Sequence, residues 1–397
     1  MVRPRNIGGP AELTASRSRA LARQRAFAFL ATFIRRTLVP RSAPARRSAT
    51  AVVGAIVGLL ATASIAACNA PADGDASTPS ESASASATET ATATEAAYAF
   101  TADNCGFEVT RQTPPEAIVT VKSAMTELVL ALGAGDRLVG LAYQDGPVPA
   151  EYTDLVAPLP VLADRVPTNE AVLSVEPDLV LAGWESVFSA DGAGERQALT
   201  DLGVTTFVAP AACTQAPYLP DPLTFDDVFA EITAVGDLLG TPEEATALVE
   251  QQRAELTEAI DGAATVTGDA AAAPTALWWS SGSDTPYVGA GTGAPQMIMN
   301  AVGLRNIAAD LDGGWGPYSW EAAAAANPDV IVLVDSSWNS AEKKKQTLAD
   351  NPVTAAIPAV AEGRYLIVPF AATEAGVRNV EAVTSLSEQL AALNLAL

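Results

Sequence analysis

The chain has 397 residues, 49% of them hydrophobic and 17% charged, so it can bury a core and is not disordered as a whole. It holds no histidine and three cysteines, which excludes Ser-His-Asp and Cys-His catalytic constellations, a histidine general base, and His-containing or four-cysteine zinc sites. The net charge of -23 is unevenly placed: residues 1–67 carry 11 Arg and one acid, leaving 12 of the 23 basic and 45 of the 46 acidic residues to the rest, a balance that argues against nucleic acid as a partner.

After the Arg-rich stretch ending at Arg46-Arg47, Ala51 to Ala67 is an uncharged run of small and apolar residues followed by Cys68. Residues 1–67 read as an export signal, because the run is shorter than the roughly 20 residues a membrane span needs. Ile65-Ala66-Ala67-Cys68 resembles the bacterial lipobox. That resemblance implies a diacylglyceryl group on Cys68, cleavage just before it, and a protein held by lipid on the outer face of the cytoplasmic membrane, where two acyl chains suffice for stable anchoring. An uncleaved anchor and an ordinary signal peptide are the alternatives. Residues 68–97 contain no aromatic, branched aliphatic or basic residue; they read as a disordered linker spanning roughly 30 Å.

From Phe100 onward, apolar runs alternate with helical patterns. Strands are expected at Ile118 to Val121, Asp178 to Ala182 and Thr205 to Val208, with helices near Ser123 to Leu132 and Ala193 to Leu202. Continuous apolar strands between helices indicate a parallel sheet buried on both faces. A second half repeats the plan, with strands Thr275 to Trp279, Val330 to Val334 and Tyr365 to Val368, and a helix near Gln296 to Val302 closed by Gly303. Glu170 stands seven residues before Pro177 in NEAVLSVEPDLVLAG, and Glu321 stands seven before Pro328 in WEAAAAANPDVIVLV, which points to two homologous lobes. Leu223 to Ala263 is helical in pattern. Thr241-Pro242-Glu243-Glu244 is a helix start, and Ala245, Leu248, Val249, Leu256 and Ile260 fall on one face of a strut about 20 residues and 30 Å long. The expected organisation is an N-terminal lobe at 98–222, connecting helices at 223–263 and a C-terminal lobe at 264–397.

An exported lipoprotein with two α/β lobes joined by one long helix resembles the helical-backbone class of ABC-transporter solute-binding proteins, the ferric siderophore and cobalamin periplasmic-binding family. VTVKSAMTELVLALGAGDRLVGL, NEAVLSVEPDLVLAG, MIMNAVGLRNIA and SWEAAAAANPDVIVL carry the resemblance across residues 105 to 395. It implies two Rossmann-like lobes with parallel sheets (class III periplasmic-binding-protein fold), a monomer with a small-molecule ligand and no cofactor or enzymatic activity, and an ABC permease as partner. It also implies that Glu170 and Glu321 dock onto permease arginines; helix N-terminal acids favoured by the dipole are the plainer alternative. ADGAGERQALTDLGV followed by VAPAAC is similar to an actinobacterial subset proposed to import a deazaflavin coenzyme precursor.

Ligands of such sheets bind beyond the carboxyl ends of the strands. Aromatics cluster there: Tyr143, Trp184, Trp278, Trp279, Tyr287, Trp315, Tyr318 and Trp338, which suggests a flat, conjugated ligand. Arg165 and Arg378 stand out as scarce cations that could pair with an anionic ligand, surface salt bridges being the alternative. Lys343 to Lys345 reads as a solvated helical face. Gly289-Ala290-Gly291-Thr292-Gly293 lacks the ending of a phosphate loop and reads as a helix approach that could donate amides to the ligand. In an oxidising compartment Cys105 and Cys213 would form one disulfide, two free thiols being the other possibility. Two other classes compete: an exported hydrolase using paired carboxylates, against which no acid pair stands out at a strand end, and an acidic surface protein that binds a partner.

Overall fold

The structure, a computed structural model, describes residues 98–267 and 273–395, all within one compact unit that begins at Thr90. The expected export signal, Cys68 and the linker lie outside the described residues. An antiparallel hairpin of β1 (Phe100–Asn104) and β2 (Phe107–Arg111) precedes the first strand that the periodicity predicts. Cys105 sits in its turn and is bonded to Cys213, fastening the hairpin to the loop after the last strand of the first sheet.

That sheet contains β3 (Ile118–Val121), β4 (Leu138–Ala142), β5 (Val161–Ala163), β6 (Leu179–Ala182) and β7 (Thr205–Val208), all parallel, in the order β5-β4-β3-β6-β7. Every residue of β3 and β6 is buried, as their unbroken apolar runs require of strands covered on both faces. Helices α1 (Ser123–Ala131), α2 (Thr153–Val156), α3 (Asn169–Leu173) and α4 (Arg196–Asp201) lie between successive strands.

The second sheet holds β8 (Thr275–Ser281), β9 (Tyr287–Gly289), β10 (Arg305–Asn306), β11 (Trp315–Pro317), β12 (Val330–Asp335) and β13 (Tyr365–Pro369). Its order is β11-β9-β8-β12-β13, with β10 also pairing β8. It is mixed rather than parallel throughout, because β9 and β11 run antiparallel while β8, β10, β12 and β13 are parallel. Gly282 explains the reversal: its φ of 81° turns the chain straight back from β8, and a Cβ there would lie 2.1 Å from the Thr285 carbonyl oxygen.

Two helices join the sheets. α5 (Phe225–Leu239) opens with a Thr224–Asp227 capping box beside the second lobe, where the Leu223 N–H donates to Thr292. It ends at the first lobe, where Tyr98 and Arg137 donate to the carbonyls of Leu238 and Leu239. α6 (Pro242–Thr267) has 26 residues, about 39 Å at 1.5 Å per residue, longer than the sequence pattern suggests. Ala245, Gln252 and Ala259 are buried at a seven-residue spacing. Ile260 falls one position off that seam and is 41% exposed, contrary to its expected place on the buried face. The remaining α-helices among the described residues are α7 (Ala294–Val302), α8 (Trp320–Ala326), α9 (Ala341–Asp350), α10 (Pro358–Ala361) and α11 (Asn379–Ala392).

The repeated Pro-Asp pair has a structural task. Asp178 donates its N–H to Ala117, and its carboxylate accepts from the N–H groups of Glu116 and Ala117 and from Arg111. Asp329 donates to the Thr275 carbonyl, and its carboxylate accepts from the Thr275 N–H and hydroxyl, each at 2.7 Å. Each aspartate therefore pins the start of its own strand to the start of the neighbouring central strand, β6 to β3 and β12 to β8. Replacing Asp329 by Ala strands the Thr275 donors, and urea unfolding should show a loss of about 1–3 kcal/mol; Asp329→Asn, which keeps an acceptor, should lose less.

Candidate functional site

The parallel register sets the floor of the site. Val121 pairs with Ala142 on one side and with Ala182 on the other, so the chain delivers Lys122, Tyr143 and Gly183-Trp184 side by side past three adjacent strand ends. Lys122 has a φ of 87° and Tyr143 a φ of 52°, a region costly for residues with a side chain. Hydrogen bonds from the Lys122 N–H to Ala142 and from the Tyr143 N–H to Ala163 hold them there. Gly183 leaves room for the lysine, since a Cβ at that position would lie 2.9 Å from Lys122 Cβ.

Lys122 is fully buried. Its Nζ lies 2.6 Å from Asp145 Oδ1 and 3.6 Å from Glu374 Oε1, and 4.1 to 4.5 Å from the ring centroids of Trp184, Phe370 and Tyr143. The Trp184 indole N–H donates to Glu374 Oε1 at 2.7 Å. Lys122, Asp145, Tyr143 and Trp184 come from the first lobe, and Phe370 and Glu374 from the second. The Ser337 N–H also donates to the Asp145 carbonyl. Charge, ring faces and backbone thus clasp the two lobes at one point.

A cavity of about 560 Å³ lies above this clasp, within the range usual for small-molecule sites. Tyr143, Trp184, Trp338 and Phe370 wall it near the clasp, and Tyr287 and Trp315 wall it from the second sheet. Tyr287 stacks on Trp315 with ring planes 7° apart, and Trp338 meets Phe370 edge to face. Tyr287 and Trp338 are 44% and 45% exposed, leaving aromatic surface open to a ligand.

Other expected site residues lie elsewhere. β8 continues to Ser281, so Trp278 and Trp279 sit inside a strand, buried on opposite faces of the sheet, and Trp279 packs against Trp320 in the core. Tyr318 packs into the same core and donates its hydroxyl to Ile307. Arg378 is tied to Glu381 and Glu127 and does not line the cavity. Arg165 is exposed in a neighbouring recess of about 370 Å³ that shares Tyr143 and Trp338 with the main cavity. Lys344 is not on a solvated face: it is buried, with Nζ donating to the carbonyls of Val334 and Asn339. The N–H groups of Ala290, Gly291 and Thr292 donate to Gly314, Leu311 and Gly313, so they are not on offer to a ligand. Glu170 and Glu321 are exposed at the second position of α3 and α8, just after the capping hydroxyls of Thr168 and Ser319. The clasp of Lys122, Asp145 and Glu374 was not among the expected site residues. Its one sequence signal is a lysine set between an apolar strand and a helix, a charge where the pattern calls for burial.

A family model described as periplasmic binding protein matches residues 118–372. The ABC transporter substrate-binding lipoprotein YvrC of Bacillus subtilis (strain 168) is 29% identical over 290 residues, 71% of this chain and 82% of that protein. A vitamin B12-binding protein of Yersinia pestis (strain Pestoides F) is 26% identical over 221 residues, 55% of this chain and 69% of that protein. A periplasmic binding protein structure from Veillonella parvula DSM 2008 superposes with a TM-score of 0.63 at 22% identity, covering 75% of this chain and 99% of the other.

Buried carboxyls give the molecule a pH signature. Burial pushes the Glu374 carboxyl up to about 7, with Lys122 opposing and Asp145 reinforcing the shift. Burial also raises Glu127 to about 7 against the pull of Arg378, and Glu231 to about 7 against the Ala211 N–H. Asp145 is likewise raised by burial, with Lys122 opposing. A glutamate that ordinarily titrates near 4.5 therefore holds its proton longer when folded. The stability these three carboxyls contribute is fully present below the unfolded value, falls as pH rises from about 4.5 to about 7, and is lost above. Thermal melts across that window should show a falling Tm. In Glu231→Gln the fall should be shallower.

Proposed function

Because the chain belongs to the periplasmic binding protein family, we propose that it is the substrate-binding lipoprotein of an ABC importer, anchored through Cys68 outside the cytoplasmic membrane and acting as a monomer. It captures a bulky conjugated ligand, a ferric siderophore, cobalamin or deazaflavin coenzyme precursor, and presents it to a membrane permease. The observation that carries this reading is the aromatic-walled cavity at the strand ends, lined by both lobes. Among the described residues no group of three or more Asp, Glu or Cys side chains is placed to hold a metal ion, so a metal cargo would arrive inside its own chelate. Two acids of the kind the hydrolase reading calls for do meet beyond the strands, Asp145 after β4 and Glu374 after the turn that follows β13. Both direct an oxygen at Lys122, which favours a binding protein without chemistry of its own.

Docking is assigned to Glu170 and Glu321, equivalent positions in the two lobes that leave one exposed carboxylate on each. Two such charges fix orientation as well as encounter rate. Reversing both, Glu170→Arg with Glu321→Arg, should abolish uptake while leaving ligand affinity within about twofold, since neither lines the cavity; a loss of affinity would place them in the pocket instead. The cargo itself is named by titrating the protein lacking residues 1–68 with ferric siderophores, cobalamin, haem and deazaflavin precursors. Trp184, Trp315 and Trp338 line the cavity, so saturable quenching of tryptophan emission is expected for the true ligand and for none of the rest.

A further inference from the structure

We infer that the cleft selects a neutral or cationic conjugated ligand and rejects anionic ones, an inference that rests on the solute-binding reading and narrows its substrate class. Among the described residues, the carboxylic acids lining the cavity are Asp145, Glu185 and Glu374, and no Arg or Lys lines it. Lys122 lies beneath the cavity but is fully enclosed, its charge already matched by two carboxylates and three ring faces. Above about pH 7, where Glu374 has lost its proton, one ammonium stands against two acids at the floor, and Glu185 adds a third while it holds the Thr214 N–H and hydroxyl. Oε2 of Glu374 is buried and has no hydrogen-bond partner, an acceptor that a donor or cation on the ligand would satisfy.

Two of the other nearby cations are committed within the protein. Lys344 donates to two backbone carbonyls, and Arg378 faces Glu127 and Glu381. Arg165 stands in the adjoining recess beside Asp164. An anionic group entering the main cavity would exchange its hydration for acids in a medium of low dielectric, a repulsion of the kind that sets specificity. The ring faces of Trp184, Trp338 and Trp315 act in the same direction, because a quadrupole attracts a cation and stacks equally well on a neutral plane. Outside residues 1–67 the chain carries 45 acids against 12 basic residues, so the long-range field also favours approach of cations.

The test is a charge series on the purified full chain at about pH 8, above the value to which burial raises Glu374, read by tryptophan quenching and by calorimetry. The probes are a cationic ferric trihydroxamate, the ferric tricatecholate trianion, the aquocobalamin cation, haem with its two propionates, and a neutral deazaflavin. Saturable binding is expected from a neutral or cationic member, with the trianion and haem at least about tenfold weaker at low salt. The preference should shrink as salt is raised, and should narrow in Glu374→Gln and in Glu185→Gln. Tighter binding of the tricatecholate or of haem overturns the charge inference and leaves the solute-binding reading standing. No saturable binding by any member overturns both.

Discussion

Taking the Lys122 ammonium out of water costs several kcal/mol unless charge and hydrogen bonds replace the solvent. The fold replaces it with Asp145 at 2.6 Å, Glu374 at 3.6 Å and the faces of three aromatic rings. These partners come from both lobes, so the cost is met only when the lobes sit together. Removing one member leaves a buried charge without its match, which is why the positive φ at Lys122 and Tyr143 and the bare backbone at Gly183 are tolerated around it. The same arrangement fixes Trp184, whose indole N–H is held by Glu374, and so orients the cavity wall directly above.

The lobes share a scaffold more than a site. In each, a short helix capped by Thr or Ser leads through Pro-Asp into a strand whose apolar run is buried, and the aspartate pins that strand to the neighbour that anchors the sheet. The cleft residues do not repeat. The first sheet delivers the buried ammonium and the acid of its ion pair, whereas the second delivers stacked aromatics on an antiparallel flap of β9 and β11. Gly282 is the local origin of that difference, because it lets β8 fold back where a fully parallel sheet would cross over.

Much of this was legible in the residues. Apolar runs such as IVTV and DLVLA give buried strands because only strands covered on both faces lack alternation, and Gly303 closes its helix with a φ of 77°. Trp184, Trp315 and Trp338 follow or open strands and do reach the cavity. Trp279 does not, since the strand runs two residues further than its apolar core and the indole becomes interior. Tyr318 and Arg378 misled for a related reason: proximity in sequence to a strand end says nothing of which way a side chain turns. The clasp was hidden because its three charges are 23 and 229 residues apart along the chain, and only the register of two sheets brings them together.

That hidden clasp also accounts for the shape of the electrostatics. Recognition of an anion by an acidic protein requires its scarce cations at the cavity, yet the lysine nearest the cavity is committed to internal acids. Lys344 is committed in the same way, to carbonyl groups at the end of β12 and in the loop after it. Cations used as structural pins cannot also serve as recognition groups, because a ligand would have to outcompete partners already desolvated and in place. Among the described residues the charged groups left lining the cavity are acids, set among aromatic, aliphatic and hydroxyl side chains, and the proposed preference for a neutral or cationic ligand rests on that remainder.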